Sequence, residues 1–253
     1  MIKSKIFDLK LLAAAMLVFS ILPCALRAED TIWNRVFFLD FQNIGAAVIE
    51  DPLKISVIAA GFGASTYLLM KNDLWLSKSL RSCPNKFKDG LFNFFNCGGD
   101  GLTVLAGDSL FFAVGGEKEK RTAQSIVEGL AVSGAITNLI KISCGRKRPS
   151  QTDNPLEFKG FTFSDASYPS GHTSTAFLCA TIIGDRYDIG WITYPAASLT
   201  GLARIYKSAH WPSDVLLGAV IGIVAGKVIN DVDKRDGIVM APAADGFSLS
   251  YRF

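Results

Sequence analysis

Seven mainly apolar segments, Val36–Glu50, Ile55–Met70, Gly101–Val114, Thr122–Ile142, His172–Asp185, Trp191–Tyr206 and Ser213–Asn230, alternate along the chain with short polar breaks. Runs of this length are too long for buried strands and predict helices. With no internal repeat and no low-complexity linker, the pattern predicts one all-α helical bundle. Spanning a bilayer takes roughly 20 predominantly apolar residues. The runs Ile55–Met70 and Val215–Ile229 fall short of that, and Asp108, Glu128 and Asn138 interrupt two others. Polar groups so placed must face the bundle interior or a water-filled site. Gly218, Gly222 and Gly226 recur every fourth residue, a stripe that lets helices approach closely and is commonest in membranes. Tight packing in a soluble bundle would use the same stripe. The expectation is a bundle partly membrane-embedded or membrane-associated.

Both ends depart from this pattern. Lys3, Lys5 and Lys10 precede the apolar stretch Leu11–Leu26, which is followed by Arg27 and Ala28. This is the layout of an export signal cut after Ala28, or of an uncleaved anchor. From Gly237 to Ala243, and again from Phe247 to Phe253, the pattern reads as two strands joined at Asp245-Gly246, with Phe247, Leu249, Tyr251 and Phe253 on one face. The domain reading is therefore residues 1–28 as signal or anchor, 29–236 as the helical domain and 237–253 as a C-terminal β-hairpin. The polar connection Ser143–Tyr168 is long enough to be functional. Its Phe158, Phe161 and Phe163 suit either contact with a lipid chain or pinning of the loop. Trp75 with Phe92, Phe94 and Phe95, among Lys71, Lys86 and Lys88, suits an interfacial segment or an amphipathic surface helix.

Composition narrows the class. Of 253 residues 49% are hydrophobic, and the formal charge is +3. Residues 1–28 hold four cations against Asp8, which accounts for that excess, so the remainder is near neutral and no field favours a nucleic-acid partner. Beyond Cys24 the cysteines are Cys83, Cys97, Cys144 and Cys179. Cys83 and Cys97 bracket a short segment, and an exported chain could join them in a disulfide. No paired-cysteine spacing of a zinc site is present, and no metal is expected.

The chemistry concentrates in three strings. The chain's two histidines, His172 and His210, lie in PSGH (Pro169 to His172) and ARIYKSAHWPSD (Ala203 to Asp214), and KISCGRKRP runs from Lys141 to Pro149. Imidazole suits proton transfer and nucleophilic attack near neutral pH. Lys141, Arg148 and Arg204 match the several oxygens of a phosphoryl group. If Ser170 begins a helix, free N–H groups there would add to an anion cradle. Asp214, four residues after His210, would lie beside the imidazole and fix which nitrogen carries the proton. Taken alone, Arg146, Lys147 and Arg148 read as a solvated loop or a contact to acidic headgroups.

Together the strings resemble the signature of the type 2 phosphatidic acid phosphatase superfamily, which also includes the vanadium haloperoxidases. That signature is a lysine followed after six residues by Arg-Pro, then Pro-Ser-Gly-His, then Ser-Arg with histidine after five residues and aspartate after three more. Here Lys141 to Pro149, Pro169 to His172, and Arg204, His210 and Asp214 fill it; the departure is Ala203, where the family has serine. The resemblance implies a helical phosphatase working without a metal or other cofactor. His210 would be the nucleophile forming a phosphohistidine, with Asp214 orienting it, and His172 would protonate the leaving oxygen and then activate water. Lys141, Arg148, Ser170, the Gly171 amide and Arg204 would bind the substrate phosphate. The implied substrate is a phosphorylated lipid or a small phosphate ester, acted on at the membrane of a bacterial cell envelope from the periplasmic side. A soluble periplasmic acid phosphatase, a phosphotransferase, a vanadium-dependent haloperoxidase and a non-catalytic membrane protein remain as alternatives.

Overall fold

The computed structural model describes residues 52–251 apart from 83, 84, 165, 237, 244 and 245, with side chains described between Gly61 and Asp233 except Phe62. The signal or anchor at 1–28, the segment Val36–Glu50 and Cys83 lie outside the described residues. Seven helices follow in order: α1 (Pro52–Arg81), α2 (Lys86–Cys97), α3 (Gly101–Val114), α4 (Glu117–Cys144), α5 (Gly171–Tyr187), α6 (Gly190–Tyr206) and α7 (Pro212–Asp236). Two antiparallel strands close the chain, β1 (Ile238–Ala243) and β2 (Gly246–Tyr251), with Pro242 opposite Phe247 and Met240 opposite Leu249.

Most helices outrun the apolar segments that announced them, because polar turns extend both ends. The segment Ile55–Met70 is the middle of a 30-residue helix, and Val215–Ile229 belongs to one of 25 residues. For Val215–Ile229 this corrects the expectation of a run too short to span, since Pro212–Asp233 is long and apolar enough. Glu117–Cys144 and Pro212–Asp233 are long and apolar enough to cross a membrane. The aromatic segment expected around Trp75 is two helices instead. Trp75 is exposed on α1, while α2 is amphipathic and buries Phe92 against the Tyr206 ring at 4.8 Å.

Side chains cap the helix starts. Asn85 accepts from the Lys88 N–H, Asp100 from that of Thr103, and Ser170 from that of Thr173. At the other end of α4, Gly145 adopts φ 57°, and a β-carbon there would lie 2.3 Å from the Gly160 carbonyl oxygen, so only glycine makes this turn. The following loop folds back on the helix it leaves. The Gly160 and Thr162 N–H groups donate to the Cys144 and Ile142 carbonyls, satisfying acceptors that a helix end leaves open.

Helix α5 is central, packed against α4, α6 and α7. Ile126, Leu178, Ile182, Ala225 and Ile229 form the core between α4, α5 and α7. The glycine stripe on α7 makes this packing close. A β-carbon at Gly218 would lie 2.5 Å from the Ser170 carbonyl oxygen, one at Gly222 2.3 Å from that of Ser174, and one at Gly226 2.7 Å from Thr181 Cβ. Toward the far end of these helices, Arg186 of α5 pairs with Asp233 of α7 and donates to Ser125 of α4. The opposite end gathers the three motif strings.

Candidate functional site

Each string occupies the same end of a helix pair. Lys141 is on the last turn of α4, Arg148 in the loop after it, and Gly171 and His172 on the first turn of α5. Arg204 is on the last turn of α6, His210 in the following turn, and Asp214 on the first turn of α7. Two close contacts hold these ends in register. The Ser170 N–H donates to the Asp214 carbonyl at 3.0 Å, and Gly99 sits so close to His172 that a β-carbon would lie 2.4 Å from its carbonyl oxygen.

Around the carbonyls of Ala166 and Ser167 the site draws together. Lys141 Nζ donates to Ala166 O at 2.8 Å and to Ser167 O at 3.5 Å, and Arg148 Nη2 reaches Ala166 O at 3.5 Å. Arg148 Nη1 donates to Ala209 O at 2.9 Å and lies 3.5 Å from His210 Nε2. Arg204 donates to the Asn96 amide oxygen at 2.6 Å, and its Nε is buried without a hydrogen-bond partner. A cavity of about 200 Å³ opens beside Lys141 and His172.

The imidazole of His210 is buried. Its Nδ1 lies 2.7 Å from the Ser167 carbonyl oxygen and 3.6 Å from Asp214 Oδ2. A carbonyl only accepts, so Nδ1 carries the proton and Nε2 presents its lone pair on the side of Arg148. The Ser167 carbonyl holds the ring N–H, and the Asp214 carboxylate expected to orient the ring stands beside it. Burial pushes His210 down to about 4, with Asp214 opposing and Lys141 and Arg148 assisting. Burial likewise lowers His172 to about 4, and the charges of Arg204, His210 and Arg148 act on it in the same direction, against Asp100. Arg204 is lowered to about 10 by burial and by Arg148. These mutual effects place both histidines and two arginines within one electrostatic neighbourhood.

Ser170 differs from the expectation of a phosphate contact. Its side chain is wholly buried, and its oxygen accepts from the Thr173 N–H and from Thr173 Oγ1 at 2.9 Å. It builds the helix start; the Gly171 and His172 N–H groups remain at the open end of α5. Ala203, where the resembled signature has serine, is fully buried. Cys97 is a free thiol, its Sγ 3.7 Å from the Asn93 carbonyl, and its expected partner Cys83 lies outside the described residues.

Arg146 is what the sequence reading missed. Read alone as part of a solvated loop or a contact to acidic headgroups, it is fully buried and uses all five N–H donors. Nη1 serves Asp214 Oδ1 at 2.5 Å and Ser213 Oγ at 2.7 Å; Nη2 serves Asp73 Oδ2 at 2.7 Å and Pro155 O at 2.6 Å; Nε serves Pro155 O at 2.8 Å. The rings of Phe158, Tyr168 and Trp211 lie 5.4, 5.8 and 5.6 Å from its guanidinium carbon. Asp73 arrives from α1 and also accepts from the Ser213 N–H at 2.9 Å. Burial raises Asp73 above the usual carboxylate range, against the hydrogen bonds of Ser213 and Arg146. The one signal available was an aspartate in a long helix, four residues before Ser77 on the same face.

Residues 123–236 match the model of the PAP2 superfamily. Over 176 residues the chain is 31% identical to a Lipid A 1-phosphatase of Rhizobium johnstonii, an alignment covering 61% of this chain and 71% of that protein. The chain belongs to the PAP2 superfamily. A Lipid A 1-phosphatase of Porphyromonas gingivalis is 41% identical over 116 residues, but that match spans 43% of this chain and only 24% of that longer protein. The crystal structure of a transmembrane PAP2-type phosphatidylglycerolphosphate phosphatase from Bacillus subtilis superposes with a TM-score of 0.51 at 16% identity, covering 70% of this chain and 96% of that one. At that identity the likeness speaks for the fold. All three motif strings fall within the matched residues 123–236.

Proposed function

We propose that this PAP2 protein is a membrane phosphatase that removes a phosphoryl group from a lipid through a phosphohistidine at His210. The observation that carries this reading is the ring of His210, neutral near pH 7, its Nδ1–H engaged by Ser167 and its Nε2 facing Arg148. A phosphoryl group enters beside Lys141, Arg148, Arg204 and the N–H groups that open α5. Nε2 attacks phosphorus, the N–P bond forms and the bond to the leaving oxygen breaks. The cations hold the negative charge spread over the phosphoryl oxygens.

His172 gives the departing oxygen its proton. Burial, with the charges of Arg204 and Arg148 assisting, keeps this imidazole neutral. A bound phosphate opposes the part due to those charges and so favours the protonated acid. In the second half His172 takes a proton from water, the water oxygen bonds to phosphorus, and the N–P bond breaks to give inorganic phosphate and free His210. Behind the ring, Asp214 steadies the imidazolium character that develops during attack, and Arg146 fixes Asp214.

A lipid substrate is supported by the Lipid A 1-phosphatases among the relatives and by two helices able to span a bilayer. The export layout of residues 1–28 supports a site on the periplasmic side of a bacterial envelope membrane. The test is phosphate release by wild-type and His210→Ala protein, with chelator and without added metal, on lipid A, phosphatidate, an isoprenyl diphosphate and p-nitrophenyl phosphate. Release from a lipid, indifferent to chelator and lost in the variant together with a trapped phosphoprotein, is the expected result. Hydrolysis of the small ester alone moves the function to a soluble-type acid phosphatase, and vanadate-dependent halide oxidation would replace the reading altogether.

A further inference from the structure

The three strings do not account for everything that holds Arg204. Its Nη1 donates to the Asn96 side-chain oxygen at 2.6 Å, a contact across 108 residues of chain. Asn96 stands on the last turn of α2, outside the strings and outside residues 123–236 that match the family. Helix α2 is itself fastened to α6 on either side of Arg204. Before it, Thr200 Oγ1 donates to the Phe95 carbonyl at 2.8 Å; after it, the Tyr206 ring packs on Phe92 and its hydroxyl donates to Asp89 Oδ1 at 2.7 Å. An arginine side chain is long and flexible, and one already held in place binds an anion without first losing that freedom.

The nitrogen that is tethered decides what stays available. Nη1 is the guanidinium nitrogen on the Cδ side, so holding it leaves the edge formed by Nε and Nη2. Nε is buried without a hydrogen-bond partner, an expensive state unless a ligand supplies the acceptor. Two parallel N–H groups on one edge match two oxygens of a phosphate. Charge points the same way. Asp100, whose Oδ2 caps α3 through Thr103, already acts on Arg204 and His172 with its negative charge. A carboxylate in place of Asn96 would hold the same nitrogen but cancel charge that an anion needs, whereas the amide oxygen holds it and cancels nothing.

We infer that Asn96 is a positioning residue: it tethers Arg204 by Nη1 so that the Nε–Nη2 edge, its charge intact, meets two oxygens of the bound phosphoryl group. The inference rests on the phosphatase reading above and adds a fourth part to the phosphate site, supplied by α2. Asn96 acts through Arg204 and touches no reacting atom.

The experiment uses the full chain in detergent. It measures the Kd of inorganic phosphate by phosphorus NMR titration, KM and kcat on lipid A and p-nitrophenyl phosphate, and the unfolding midpoint. The variants are Asn96→Asp, Asn96→Ala, Thr200→Val, Arg204→Gln and the double variant Asn96→Ala with Arg204→Gln. Asn96→Asp keeps the shape and the hydrogen bond, so a purely structural contact would survive it. Both Asn96 variants are expected to weaken phosphate about tenfold, with a matching rise in KM and, for Asn96→Asp, an unchanged midpoint. Thr200→Val cuts the neighbouring link between α2 and α6 and should leave the phosphate Kd within about twofold of wild type. In the Arg204→Gln background, Asn96→Ala should change the Kd by no more than about twofold, because the group it positions is gone. Unaltered phosphate binding in Asn96→Asp, a loss in Thr200→Val equal to that in the Asn96 variants, or an undiminished effect of Asn96→Ala without Arg204 would each overturn the inference. A wild type that binds phosphate in this Asn96-dependent way but hydrolyses neither ester would support the tether and remove the phosphatase reading alone.

Discussion

Arg146 and Arg148 are separated by a single residue and live in opposite regimes. Arg146 has no exposed surface and spends every donor on two carboxylates, a hydroxyl and one carbonyl. Arg148 is half-buried beside His210, and hydrogen bonds described for it run to the neutral carbonyls of Ala209 and Ala166. A neutral carbonyl gives up a guanidinium to a phosphate far more readily than a carboxylate does, because no opposite charge is stranded. Within one loop, one charge holds the structure together and the other is placed to serve the proposed phosphate site.

The largest expected effect tests that separation. Arg146→Met leaves Asp73 and Asp214 buried without their shared cation and should destabilise the protein by about 3–5 kcal/mol. Lysine cannot restore it, having three donors where five are used. Arg148→Met should cost about 1 kcal/mol or less in stability yet lower kcat by about 10²–10³. Thermal unfolding in detergent with parallel phosphate release reads both quantities, and equal destabilisation by the two substitutions would erase the distinction.

A smaller effect is expected where helix packing sets the geometry. Gly222→Val drives side-chain atoms into the Ser174 carbonyl and the Leu178 amide, both backbone, and should cost about 1–3 kcal/mol by forcing α7 away from α5. Because Asp214 begins α7, activity should fall with it. Gly134→Val, with open space around it, should leave the unfolding midpoint nearly unchanged. A tolerant Gly222 would mean that α5 and α7 are held apart more loosely than the structure has them.

The smallest effect is a pH slope. His172 and His210 have folded values of about 4 against 6.5 for the free side chain. Between those values the unfolded chain binds protons that the folded chain refuses, so their contribution is intact above about 6.5 and is lost as pH falls toward 4. Unfolding midpoints of the ligand-free protein should decline through this window, and His210→Asn should make the decline shallower. Saturating inorganic phosphate should also flatten it, since the bound anion favours the protonated His172. A wild-type slope unaffected by either change would argue that other groups carry it.

Much of the site was legible because its chemistry is written in local spacing. The four-residue step from His210 to Asp214 brings ring and carboxylate to 3.6 Å where α7 begins. The helices around it were legible from their apolar runs, and Gly101–Val114 was placed at its observed bounds. Polar turns concealed the rest of the others. Lys71 and Trp75 read as part of an interfacial segment or an amphipathic surface helix, but α1 continues through them and carries Asp73 into the interior.

The sequence by itself determined which groups could do phosphoryl chemistry, since only certain side chains combine nucleophile, acid and cation, and their order and spacing are local properties. Tertiary structure decided what each of them touches. Asp73 meets Arg146 across 73 residues of chain, and the Ser167 carbonyl accepts from the His210 ring N–H across 43. Contacts across such separations leave no periodicity to read; they exist only because packing brings distant segments of the chain together. The recess lined by Ser133, Thr137 and Ser174 arises in the same way. Small hydroxyl residues on two helices are ordinary in sequence, and they line a cavity only where packing leaves room between them.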